Sequence, residues 1–185
     1  MTGCAEWWEI EEIQYPLSYY LEASAPEDMK IGVREAAKTW NELAIREGVG
    51  EVLIDSGEAE SRIRSDSRFD IISLSPEEFN KDVGDGVVYL GKCRKVLGRH
   101  SARVDVLFAP HANVLRWAES NEAIIDAYYR IALHELGHVL GLGHTLDETE
   151  LMYYYGRPID NFPAHITIDA EDKFCQKHGC QNVKK

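Results

Sequence analysis

Apolar and aromatic residues crowd the short run Leu17 to Ala23, which reads as a strand. Ser24-Ala25-Pro26-Glu27 closes it, and Ser24 and Glu27 stand at capping-box spacing, so a helix is expected next. Val33, Ala36, Ala37, Trp40, Leu43 and Ala44 then recur every three or four positions, predicting an amphipathic helix that stops near Gly48 and Gly50. Four short apolar runs follow: EVLIDS (51–56), RFDIISLS (68–75), GVVYLG (86–91) and ARVDVLFAP (102–110). Charged, Gly or Ser residues bound them, and they read as strands of one sheet. From about Asn121 the period returns to that of a helix through Ile124, Ile125, Tyr128, Ile131, Ala132, Leu136 and Val139, up to Gly141. No internal repeat or low-complexity linker interrupts this order, which predicts one compact α+β unit.

Composition narrows the partners. A chain of 185 residues with 44% hydrophobic content is sized for one domain with a real core. Its formal net charge of -12 and lack of basic clusters argue against nucleic acid and against anionic membrane surfaces. No run approaches the ~20 apolar residues of a membrane helix. Residues 1–16 lack both a basic region and an apolar signal core, so no export address is expected there. Cys4, Cys93, Cys175 and Cys180 allow three fully paired connectivities, among which the sequence does not choose. FCQKHGC (174–180) brings Cys175, His178 and Cys180 close together but lacks a CxxC pair and a fourth metal ligand, so a disulfide or plain thiols are expected there.

The candidate chemistry lies in HELGHVLGLGH (134–144). On a helix His134 and His138 share one face, and Leu136, Val139 and Leu140 would anchor that helix in the core. Gly141 can enter a left-handed conformation at little cost, which turns the chain sharply and would bring His144 to the other two rings. Three neutral imidazoles then converge on zinc, with the fourth position left for water, as catalytic zinc sites require. Glu135 is placed to take the water's proton and pass it to the departing amine.

HExxHxxGxxH followed by a methionine turn resembles the metzincin signature, with Leu151-Met152-Tyr153 in the place of the turn. Over roughly residues 15–180 the chain is most similar to the catalytic domain of the matrixins, the matrix metalloproteinase group. The likeness rests on YPLSYYLEA, VREAAKTWNELA, FDIISLS and ITIDAEDKFCQKHG beside the zinc motif. The resemblance implies a zincin-like fold: a twisted mixed sheet with two long helices in an upper lobe (about 15–141), and a small lower lobe (about 142–185) with a closing helix. It makes Met152 an apolar floor that does not ligate the metal. It implies a polypeptide substrate, a monomer, and an extracellular setting if a leader is removed.

Departures from the matrixin pattern carry their own expectations. Thr145 replaces the usual serine, and the proline after the methionine-turn tyrosine is missing. Cys4 lacks the motif of the propeptide cysteine that blocks the zinc, so latency by that route is not expected. The ligands of the matrixin structural ions are not matched, and one zinc is predicted. Asp82 and Asp85, with Gly84 and Gly86, offer too few carboxylates for a calcium site and read as a solvated turn. His100 and His111 read as surface histidines. Tyr154 stands where the astacin and serralysin branches keep a tyrosine that hydrogen-bonds the tetrahedral intermediate; the competing reading packs Tyr153, Tyr154 and Tyr155 along a cleft wall.

The expected function is therefore zinc-dependent endopeptidase activity, with residues 98–110 as the edge strand that pairs with substrate. The rivals are a zinc-dependent peptide-binding module without catalysis and a narrow processing peptidase.

Overall fold

The computed structural model describes residues 15–60, 69–83, 90–97, 102–118, 123–153 and 162–180. Strand β1 (Leu17–Glu22) alternates buried Leu17, Tyr19 and Leu21 with half-buried neighbours, as a strand with one face on a core must. Helix α1 (Glu27–Arg46) follows and returns the chain to β2 (Leu53–Ala59), which pairs in parallel with β1. β3 (Phe69–Ser73) lies parallel on the other side of β1; Phe69, Asp70, Ile71 and Ile72 are all buried, so this strand is covered on both faces.

Helix α2 (Pro76–Val83), β4 (Gly91–Leu97), β5 (Ala102–Phe108), α3 (His111–Trp117), α4 (Ile124–Val139) and α5 (Ile168–His178) complete the order. The sheet runs β2-β1-β3-β5-β4, and only β4, antiparallel to β5, breaks the parallel set.

Two expectations change here. ARVDVLFAP is not the edge strand: β5 is hydrogen-bonded to β3 on one side and β4 on the other, which leaves β4 at the rim. The sequence GKCRKVL hid it, because Lys92, Arg94 and Lys95 mask the apolar pattern, as charges on edge strands commonly do. Residues 84–89, most of the GVVYLG run, lie outside the described residues. Ser24 and Glu27 do not form a capping box either. Pro26 is the N-cap, no side chain caps the helix, and Ser24 sits too early in the preceding turn. The carbonyl of Ala23 instead accepts from Lys30 Nζ at 3.0 Å.

α1 and α4 pack closely enough to leave no room for a methyl group at Gly32. A Cβ there would lie 2.7 Å from the Tyr129 backbone nitrogen and 2.9 Å from the Ile125 carbonyl oxygen. Fully buried Trp40 of α1 donates its indole N–H to the Leu133 carbonyl at 3.0 Å, one residue before the histidine motif. These contacts hold α4 against the sheet-and-helix core and fix which way its side chains point.

Candidate metal centre

The apolar residues of α4 bury it on nearly every side: Leu133, Leu136 and Val139 are fully inside, and His134 and His138 are buried among them. Gly141 has φ +87°, the left-handed value that ends the helix, and its N–H bonds the His138 carbonyl at 2.9 Å. A side chain there would also strike Lys177 Cε at 2.3 Å. The chain swings back, and exposed His144 brings its Nε2 to 3.0 Å from His138 Nε2. One ring nitrogen from each of His134, His138 and His144 lies within 4.8 Å of the others, a group that could hold a metal ion.

The protonation pattern fits that purpose. His134 Nδ1 faces the Leu151 carbonyl at 2.7 Å and His138 Nδ1 faces the Leu142 carbonyl at 2.8 Å. A carbonyl oxygen only accepts, so each Nδ1 carries the proton and each Nε2 keeps a lone pair. Burial, and then the neighbouring His134 and His144, hold His138 well below the usual histidine range, so its ring is neutral. Converging lone pairs at these distances repel one another unless a cation lies between them, which is the donor chemistry zinc takes.

The chain beyond His144 is stitched to the same site. Thr145 N–H donates to the Met152 carbonyl at 2.8 Å, and Thr145 and Tyr153 form a parallel bridge. Leu151, whose carbonyl orients His134, donates its own N–H to Thr167 Oγ1 at 3.3 Å. Met152 is fully buried, and its sulfur sits 2.7 Å from where a Cβ on Gly137 would be. Gly137 thus opens the helical turn between the two helix histidines to the thioether. A glycine inside an apolar helix is the sequence signal for such a close approach, and it passed unread. Phe162 had no sequence signal at all. Its ring stands edge-on to His134 at 6.1 Å, and its carbonyl accepts from Arg130 Nη1.

Glu135 is only 6% exposed. Burial pushes its carboxyl up to about 8, against the lowering effect of the Cys93 backbone N–H on β4. Its Oε2 is buried and has no hydrogen-bond partner among the described residues.

The remaining sequence candidates separate from this cluster. Tyr154, Cys4, Asp85 and His100 lie outside the described residues, and Asp82 falls in the last turn of α2. His111 Nδ1 and the Tyr128 hydroxyl share a hydrogen bond of 2.9 Å. FCQKHGC is a disulfide loop: Cys175 and Cys180 are bonded to each other, and His178 Nε2–H donates to the Leu140 carbonyl at 2.9 Å. Cys93 is also disulfide-bonded, which leaves no free thiol among the described residues. Among the described residues, no helix is long and apolar enough to cross a membrane.

The family model described as Matrixin matches residues 6–177. Among solved structures, archaemetzincin from Methanopyrus kandleri is similar at 15% identity and a TM-score of 0.57, over 88% of this chain and 95% of that one. A zinc-dependent peptidase from Methanocorpusculum labreanum aligns at 15% identity and a TM-score of 0.47, over 85% of this chain and 99% of that one. No curated protein matches.

Proposed function

The chain belongs to the matrixin family of zinc peptidases, and from that premise we propose that it is an endopeptidase whose working residues are His134, Glu135, His138 and His144. The three histidines would hold the zinc. When bound, that ion lowers the pKa of water towards neutrality and polarises a carbonyl. Glu135 receives one proton of the attacking water and delivers it to the departing amine nitrogen as the carbon–nitrogen bond breaks, and the second water proton follows, leaving a carboxylate and an ammonium group.

One observation carries this reading. A buried carboxyl with one oxygen unpaired among the described residues stands next to His134 in the chain, and the ring of His134 gathers with those of His138 and His144 into one potential ligand group. A module that only captured peptides would have no use for that group, and burying a carboxyl with one of its oxygens unpaired is costly. The substrate lies extended in a cleft between residues of about 15–141 and about 142–185, pairing with β4, an outer strand of the sheet. All four working side chains come from one chain, so a monomer suffices. Tyr154, two residues beyond Met152, is the candidate donor to the tetrahedral intermediate.

Hydrolysis of a quenched casein or gelatin substrate by the zinc-loaded protein tests the reading. Activity is expected, and both a chelator and Glu135→Ala should abolish it. Capture of peptide without cleavage by the unaltered protein would replace the endopeptidase with a binding module. Tyr154→Phe should lower kcat with zinc retained, and an unchanged kcat removes Tyr154 from the mechanism.

A further inference from the structure

The glycine that opens β4 is not there for its backbone angles, since Gly91 is not among the positive-φ glycines. Space is the reason. A Cβ on Gly91 would lie 2.6 Å from Ile131 Cγ2, 2.8 Å from Glu135 Cγ and 2.9 Å from Glu135 Oε1. Two residues along the same strand, the Cys93 backbone N–H bonds the Glu135 carboxylate. The root of Glu135 is set independently, because α4 is clamped through Trp40 to Leu133 and through the two ring-to-carbonyl bonds of His134 and His138. What remains is the swing of the carboxylate about its side-chain torsions, and Gly91 and the Cys93 N–H, both on β4, bear on it.

We propose that Gly91 is a positioning residue for the reaction: its missing side chain and the nearby Cys93 N–H seat the Glu135 carboxylate against the edge strand. This rests on the endopeptidase reading, and it adds a coupling to it. The strand that aligns an extended substrate is the strand that aims the base, so peptide and carboxylate share one frame. A methyl group at position 91 pushes the carboxylate out of that frame without touching a zinc ligand.

Gly91→Ala tests this. We expect kcat to fall by ~100-fold, the penalty for roughly an ångström of misplacement, with KM and zinc content near those of the unaltered enzyme. Because the methyl group also meets Ile131, the Gly91→Ala/Ile131→Ala pair keeps the test valid if the single variant folds poorly. Glu135→Asp withdraws the carboxylate by one methylene, so Gly91→Ala should cost much less in that background. An equal cost in both backgrounds, or unchanged kcat in Gly91→Ala, would overturn the proposal. A second readout needs no turnover: in metal-free protein the carbon-13 resonance of the Glu135 carboxyl should move in Gly91→Ala, and a fixed resonance rejects the role. Absence of peptide cleavage by the zinc-loaded, unaltered protein refutes the endopeptidase reading instead and leaves that resonance to judge Gly91.

Discussion

Each metal-site imidazole on α4 has its Nδ1 proton committed to a backbone carbonyl, Leu151 for His134 and Leu142 for His138. That arrangement fixes tautomer and ring plane together, and it also means that the ring positions depend on main chain beyond the end of α4. Glu135→Gln keeps the shape and removes the proposed proton acceptor, so kcat should fall by about 10²–10⁴-fold with zinc content unchanged by elemental analysis. Gly137→Ala forces a methyl group towards the Met152 sulfur. The overpacking cost of about 1–3 kcal/mol exceeds the helix-propensity gain of about 1 kcal/mol, so the urea midpoint should drop. Zinc affinity should weaken by roughly tenfold, as it does when groups supporting metal ligands are disturbed.

At the scale of elements, α1 and α4 cross through Gly32, where the obstructing atoms belong largely to backbone and cannot rotate away. Gly32→Ala should therefore destabilise by about 3 kcal/mol or more in chemical denaturation, even though alanine is the better helix former. Both long helices were legible in the sequence because their apolar faces repeat within a few residues. The capping signal was misplaced. The box spans Ser75 and Glu78, with Ser75 N–H to Glu78 Oε2 at 3.0 Å and Glu78 N–H to Ser75 Oγ at 3.3 Å, and opens α2, an element the apolar period is too short to announce. β4 escaped notice for a different reason: its place at the rim depends on pairing with β5 across the sheet, which no local pattern encodes.

Across the whole molecule, α5 reaches back to brace the metal-site turn. His178 Nε2–H donates to the Leu140 carbonyl, the Tyr15 hydroxyl lies 3.2 Å from His178 Nδ1, and the Cys175–Cys180 disulfide closes the last turn that carries it. Burial holds His178 below the usual histidine range, so the folded state resists a proton that the unfolded chain accepts near pH 6.5. Between the lowered folded value and the unfolded one, the unfolded state binds more protons at His178, and the stability that this ring contributes falls as pH falls. Between about pH 7.5 and about pH 5 the melting temperature of metal-free His178→Gln should therefore lose less, or gain more, than that of the unaltered metal-free protein. Zinc at a hundred times its dissociation constant should add about 2.7 kcal/mol of stability, read as a rise in Tm that a chelator reverses.

Sequence alone determined the candidate metal group of this protein, because His134, His138, Gly141 and His144 lie within one helix and its exit turn, where spacing translates directly into geometry. Tertiary structure decided the rest: which carbonyls orient the rings, that Phe162 stands beside His134, that β4 forms the rim, and that Gly91 leaves room for Glu135. Apart from the His138–Leu142 bond, those relations join residues far apart in the chain, and their distances exist only once the sheet has closed and α4 has been pressed against it.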